Sequence, residues 1–161
     1  ESGYKWKAIH YKNGKREGLE TWWYESGKTF TKTHYKNGKR DGVGTLWYDS
    51  GKKKQEYHYK DGIEVGLMTY WYPSGIKKLE FHKKSMKQHG LTTWWYENGQ
   101  KSSETHYKYG KRDGVSREWH ANGKKRLEKH YKDDKVDGLW TEWNEEGELT
   151  FQGNFVDGVQ R

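Results

Sequence analysis

Three observations predict an all-β chain, an elongated single-sheet array of antiparallel β-hairpins with 24-residue repeats. Residues 18–28, Gly-Leu-Glu-Thr-Trp-Trp-Tyr-Glu-Ser-Gly-Lys, return as close variants at 42–52, 66–76, 90–100, 114–124 and 138–148 without insertion or deletion. Eighteen of the 20 glycines fall in three columns at this period, one each through Gly18, Gly27 and Gly14. Glycine takes positive φ at no steric cost, so these columns mark where the chain reverses. Between them residues alternate with a period of two, the pattern of strands, and no segment carries a helical period.

In chain order, residues 1–17 form a partial unit and six repeats follow, starting at 18, 42, 66, 90, 114 and 138, so 1–161 reads as one array. The first residues, Glu1-Ser2-Gly3, fall 24 residues before Glu25-Ser26-Gly27. The sequence thus opens at a turn inside a repeat, and upstream repeats or an export segment are expected to precede it. Tyr24-Glu25-Ser26-Gly27 fits a type I turn followed by glycine in the left-handed region, a three-residue hairpin with a G1 bulge. Pro73, the single proline, falls at the second position of this turn, where φ near −65° is wanted. About thirteen strands at roughly 4.8 Å would span on the order of 60 Å.

From Leu19 to Tyr24 one face carries Leu19, Thr21 and Trp23, and the other carries Glu20, Trp22 and Tyr24. Pairing Tyr24 with Lys28 places Thr31, Thr33 and Tyr35 on the first face, and Phe30, Lys32 and His34 on the second. The first face holds an unbroken structural column, Trp23, Trp47, Trp71, Trp95, Trp119 and Trp143, beside a Leu/Val column and a Tyr column. It is expected to be the core. One unit departs from the pattern, reading Lys83-Lys84-Ser85-Met86-Lys87 where others read Tyr-Lys-Asn-Gly-Lys. Met86 should resist the left-handed region, so a different turn type or disorder is expected there, through repeat decay or as a bend or partner-specific loop. Asp134 also replaces glycine and should tolerate that region better.

Composition narrows the class. The chain is 30% hydrophobic and 34% charged, a balance that would suggest disorder, but 17% aromatic residues and a fixed period argue against it. An aromatic-stacked array resolves the conflict, because each repeat buries surface only against its neighbours. No stretch approaches the roughly 20 apolar residues of a membrane-spanning helix. With no cysteine there is no disulfide framework and no thiolate metal site, and the compartment stays open between cytoplasmic and exported. The net charge of +8 comes from 31 basic residues interleaved with 23 acidic ones, which reads first as a solvated two-sign surface and second as a polyanion footprint.

The unit at residues 35–52, Tyr-Lys-Asn-Gly-Lys-Arg-Asp-Gly-(x)4-Trp-Tyr-(x)-Ser-Gly-Lys, resembles the MORN-repeat variant. It is similar in particular to bacterial proteins of antitoxin or immunity type. The resemblance covers the whole chain. It implies short antiparallel hairpins stacked into an elongated sheet and non-enzymatic roles, namely protein binding, toxin neutralisation or membrane association, with no catalytic motif to carry over.

No catalytic set assembles. Ser26, Ser50 and Ser74 recur in turns, Glu56, Glu80, Glu104 and Glu128 recur on one face as cross-strand partners for bases, and no phosphate-cradling glycine motif precedes a helix. His10, His34, His58, His82, His106 and His130 form a column whose members lie about 9.6 Å apart, too far for shared zinc bonds of about 2.0–2.1 Å. A structural role opposite the Gly18-type glycines is the expectation, with a modest acid sensitivity from charging the ladder. No cofactor and no metal is expected.

The informative departure lies on the second face. Trp22, Tyr70 and Trp94 share a column with Leu46, and Tyr24, Tyr48, Tyr72 and Tyr96 share the next, but the last two repeats carry Glu118 and Glu142, then His120 and Asn144. A load common to every hairpin should not stop partway. These seven aromatic residues are therefore the expected partner-binding site, against the alternative that long Lys and Glu side chains or the curl of the array cover them. Three function classes follow: a protein-binding scaffold whose partner is a toxin in the antitoxin reading, an anionic membrane-surface or polyanion binder using Lys12, Lys36, Lys60, Lys84, Lys108 and Lys132, and an exported carbohydrate binder. Self-association is compatible with the first, and no specific nucleic-acid recognition is expected.

Overall fold

The computed structural model describes residues 6–161, so the expected turn at Glu1-Ser2-Gly3 lies outside the described residues. No helix occurs among them, and every element is an antiparallel strand. The chain divides into two compact units, Glu1–Ile76 and Lys77–Arg161.

The first unit contains β1 (Lys7–Ala8), β2 (Tyr11–Lys12), β3 (Lys15–Arg16), β4 (Gly18–Trp23), β5 (Thr29–Lys36), β6 (Lys39–Trp47), β7 (Lys53–Lys60), β8 (Ile63–Glu64) and β9 (Gly66–Trp71). Its main sheet follows chain order, β1-β4-β5-β6-β7-β9, while β8 pairs with β7 and β2 pairs with β3 apart from it. The second unit contains β10 (Lys77–Lys84), β11 (Lys87–Gln88), β12 (Gly90–Trp95), β13 (Lys101–Lys108), β14 (Lys111–Trp119), β15 (Lys125–Lys132), β16 (Lys135–Trp143), β17 (Leu149–Val156) and β18 (Val159–Gln160). Its order is β10-β12-β13-β14-β15-β16-β17-β18, with β11 paired to β10.

Two kinds of turn alternate. The Tyr24 amide donates to the Lys28 carbonyl at 2.8 Å and the Gly27 amide to the Tyr24 carbonyl at 2.9 Å, which closes the expected three-residue hairpin with Gly27 at φ 81°. The other is a two-residue reversal with both central residues at positive φ, as at Asn37 (50°) and Gly38 (82°). Met86 takes the same conformation at φ 63°, behind Ser85 at 51°. The expectation of another turn type there is corrected: pairing of Lys83 with Gln88 and Lys84 with Lys87 imposes the reversal, and Met86 carries its strain.

The expected core face is also corrected. A bulge lies between Trp22 and Trp23, because Trp22 pairs with Thr31 whereas Trp23 pairs with Thr29, leaving Phe30 as the extra residue. A one-residue slip turns every later side chain over. Thr31, Thr33 and Tyr35 therefore stand with Trp22 and Glu20, while Lys32 and His34 stand with Leu19 and Thr21. The buried apolar residues lie on the Trp22-type face, Tyr57 and Met68 in the first unit and Phe81 and Leu127 in the second. On the opposite face the buried positions are threonines, Thr21, Thr45 and Thr69, then Thr93 and Thr141. Val43, Leu91 and Leu139 of the Leu/Val column are exposed.

The histidine column has a backbone task. Nδ1 of His34 lies 3.0 Å from the Val43 carbonyl and Nδ1 of His58 lies 2.9 Å from that of Leu67, with the same contact at His106 and His130. A carbonyl only accepts, so Nδ1 carries the proton.

Candidate protein-interaction face

The register arranges the Trp22-type face of the first unit in rows across the strands. One row reads Trp22, Thr31, Leu46, Gln55, Tyr70, and the next reads Glu20, Thr33, Gly44, Tyr57. Gly44 is cleared for an aromatic ring, since a Cβ there would meet Cε2 of Tyr57 at 1.9 Å. With Thr31 and Thr33 beside it, this leaves a groove of about 390 Å³ lined by Trp22, Phe30, Leu46 and Tyr57, with Arg16, Tyr35 and Arg40 also on its wall.

Glu20 ties the groove together. It is 7% exposed, accepts the Trp22 indole N–H on Oε1 at 2.8 Å, and pairs with Arg16 at 3.1 Å. Arg16 and Arg40 both donate to the Tyr35 hydroxyl, at 3.2 and 3.4 Å, and Arg40 also donates to the Tyr59 hydroxyl at 3.0 Å. The hydrogen bond to Tyr35 leads the contacts that raise the Arg40 guanidinium further above its ordinary value.

The sequence-designated aromatic residues divide by their bonding. Tyr24, Tyr48 and Tyr96 each donate a hydroxyl to a tryptophan carbonyl in the following repeat: Trp47 at 2.7 Å, Trp71 at 2.8 Å and Trp119 at 2.7 Å. Burial pushes the Tyr24 phenol above its ordinary value. His120, at the equivalent position, reaches the Trp143 carbonyl through Nε2 at 2.9 Å, so the inter-repeat bond continues where the tyrosines stop. Tyr70 accepts from Gln55 at 3.0 Å, and Tyr72 is half-buried. Trp22 and Trp94 are 38% and 40% exposed.

The tryptophans expected to be structural stand on the opposite face and are half-buried, and several are capped by lysine. Lys53 stands over Trp71 at 5.5 Å and Lys125 over Trp143 at 5.7 Å, and the two lysines also pair with Glu56 and Glu128. In the second unit the Trp22-type face carries a charged cluster instead. Trp140 packs on Phe151 and Phe155 at 5.2 and 5.1 Å, Lys129 lies 3.4 Å from its ring centroid, and its indole donates to Glu142 at 2.9 Å.

Sequence reasoning missed Glu20, Phe30, Arg16, Arg40 and Tyr57. One signal was readable: the Glu20 position becomes Gly44, Met68, Thr92, Ser116 and Trp140, the repeat column without a preferred residue. Among described residues no group of three His, Cys, Asp or Glu side chains has metal-holding geometry, and no helix is long and apolar enough to cross a membrane.

No curated protein matches the chain. The pattern described as MORN repeat variant matches residues 16–37, 40–61, 88–109, 112–133 and 136–157 and passes over the stretch that contains Met86. These five matches take in more than half of the sequence, and the chain belongs to the MORN repeat variant family.

Proposed function

We propose that this chain is a non-enzymatic scaffold that binds a protein partner through the faces carrying Trp22 in the first unit and Trp94 in the second. Repeats of this family are non-catalytic modules that bind proteins or membrane lipids. One observation carries the choice of face. Trp71 and Trp143 on the opposite face are half-buried under lysines, whereas Trp22, although Lys7 also stands over its ring at 5.5 Å, and Trp94 keep more than a third of their surface in water. Tryptophan is among the side chains most enriched at interface hot spots, which cluster near the interface centre. Tyr24, Tyr48, Tyr70, Tyr72 and Tyr96 contribute ring surface to the same reading, their hydroxyls serving the scaffold where they bond to it.

Capture from a lysate on the tagged chain, repeated with Trp22→Ala and Trp94→Ala, tests this. A hot-spot tryptophan is worth about 2 kcal/mol or more, so one of the two variants should lose roughly thirtyfold in affinity. A partner held equally by both variants and the parent would refute the assignment. Neutralisation of a toxin is the finer form of the proposal. It rests on the resemblance drawn from the repeat sequence alone, and is tested by whether a neighbouring gene encodes a toxin from which co-expression of this chain rescues growth.

A second reading has its own observation. The register sets lysines directly opposite one another at the two-residue turns: Lys12 with Lys15 and Lys36 with Lys39, then Lys84 with Lys87, Lys108 with Lys111 and Lys132 with Lys135. Like charges so placed are unfavourable unless an anion lies over them; Asp133 supplies one for Lys111 and Asp157 for Lys135, which leaves an external anion the most to gain at the other three pairs. Binding to phosphatidylserine vesicles that collapses between 50 and 300 mM salt would support an anionic-surface role, and salt-independent binding would remove it.

A further inference from the structure

The first unit's groove has a chemistry that no other described repeat reproduces. Its floor is made of small side chains, Thr31 and Thr33, and its walls of Trp22, Phe30 and Leu46. At about 390 Å³ it lies within the range of small-ligand pockets and is large enough for one bulky side chain. The backbone on its floor is fully engaged, because β5 pairs with β4 on one side and β6 on the other. An added strand therefore has no edge to join here, and recognition must come from side chains.

Charge selects the occupant. Glu20 is the one carboxylate on the wall, and it is buried beneath Trp22 with Arg16 as its ion partner. Its charge is spent inside the wall. Arg40 is exposed, stacks over the Tyr59 ring at 5.2 Å and donates to the neutral hydroxyls of Tyr35 and Tyr59, so its charge is met only by neutral groups at the rim. Lys7, 5.5 Å from the Trp22 ring, adds a second positive charge at the wall. An apolar trough with cations at its rim is complementary to an apolar side chain beside a carboxylate.

We infer that this groove docks a segment of the partner protein in which an aromatic or large aliphatic side chain adjoins an acidic residue. The apolar side chain lies on Thr31 and Thr33 against Trp22, Phe30 and Leu46, and the carboxylate meets Arg40. Glu20 is a positioning residue that fixes the Trp22 indole and Arg16 through one buried carboxylate. The inference rests on the protein-binding reading of this face and names the partner's chemistry.

The test is a nuclear magnetic resonance titration of the isotope-labelled full chain with three peptides: Ser-Gly-Glu-Trp-Glu-Glu-Gly-Ser, the same with lysine for every glutamate, and the same with alanine for tryptophan. The acidic tryptophan peptide should shift the Trp22 indole and the amides of Thr31 and Thr33, with both counterparts binding at least tenfold more weakly. Arg40→Gln should weaken that peptide about tenfold. Leu46→Glu, which places a negative charge in the trough, should do so independently should Arg40→Gln disturb the fold. Equal binding of the lysine peptide, shifts confined to other residues, or no binding would overturn the inference. A captured protein lost with Trp22→Ala but indifferent to Arg40→Gln and to the peptide would remove the acidic segment and leave the scaffold reading standing. Capture indifferent to both Trp22→Ala and Trp94→Ala would remove both.

Discussion

Gly44→Ala isolates the packing that shapes the groove. Gly44 sits opposite Tyr57 in the register, and a Cβ there would lie 1.9 Å from Cε2 and 2.7 Å from Cδ2 and Cζ of that ring. Carbon atoms rest about 3.5–4.0 Å apart, so the ring must withdraw by roughly 2 Å. Tyr57 is 8% exposed and packs edge-on to Tyr59 at 5.3 Å, so withdrawal uncovers surface that is now dry. Re-exposing about 80 Å² of ring costs about 2 kcal/mol at 25 cal/mol per Å². Strain adds about 1 kcal/mol, and the better strand propensity of alanine over glycine returns about 0.5–1 kcal/mol. A net loss of about 2 kcal/mol is expected. Tyr57→Ala alone should cost about 3 kcal/mol, but with the ring gone Gly44→Ala should become neutral or stabilising by about 0.5 kcal/mol. The double-mutant cycle therefore has a coupling energy of about 2.5 kcal/mol in the favourable direction. Repeat arrays open locally, so the readout is amide hydrogen exchange within β4 to β7 alongside urea unfolding. Equal cost of Gly44→Ala in both backgrounds would refute the steric argument.

Three other expectations can be checked on the same chain. Tyr48→Phe removes the hydroxyl that donates to the Trp71 carbonyl at 2.8 Å and should cost about 1 kcal/mol in urea unfolding, with exchange quickening at the first unit's last hairpin. Met86→Gly relieves a non-glycine residue at φ 63° and should stabilise the second unit by about 1 kcal/mol, seen as slower exchange in β10 and β11. In acid, the Asp61 backbone N–H and Lys60 hold Asp41 below its ordinary value, and the Arg112 backbone and side chain do the same for Asp134. Burial pushes Glu128 up, but hydrogen bonds from Arg117 and Lys125 outweigh it and leave it lowered. Groups lowered in the folded state add stability above their unfolded values, and that stability is lost as pH falls through the folded ones. The urea midpoint should therefore begin to drop below about pH 4.5, with a shallower drop in Asp41→Asn and Glu128→Gln.

The period and the turns were legible because each rests on a local rule. Gly27 at φ 81° and the Tyr24 to Lys28 hydrogen bond follow from a four-residue signature that needs no knowledge of the rest of the chain. The pairing of faces was not legible, because it depends on whether Phe30 is counted into the ladder or bulged out of it. Nothing local to Phe30 announces that choice. The edge-on contact of its ring with Tyr24, centroids 5.0 Å apart, is a consequence of the bulge that alternation cannot supply. The tyrosine column was legible as a feature but not as a task, since its hydroxyls reach carbonyls 23 residues away and His120 keeps the bond through different chemistry. Met86 shows the reverse case, where local preference was read correctly and tertiary pairing overrode it.

The bulge also explains why a repeated hairpin can hold a site at all. Unbulged pairing would put Thr31 and Thr33 under Trp23 and set Phe30 and Lys32 beside Trp22. The slip moves two small side chains next to Trp22 and Glu20 and turns Lys32 away, so the trough is opened by register. The same bulge recurs between Leu46 and Trp47, and in the second unit between Trp94 and Trp95, Glu118 and Trp119, and Glu142 and Trp143. Register alone therefore gives each of these hairpins the same opportunity, and the residue at the Glu20 position decides how it is used. Thr92 and Ser116 close it with small buried side chains, Trp140 fills it with an aromatic cluster, and Glu20 leaves it open and charged at the base. In such an array the invariant columns make the frame, and a freely varying column beside a bulge is where a binding specificity can be changed without disturbing its neighbours.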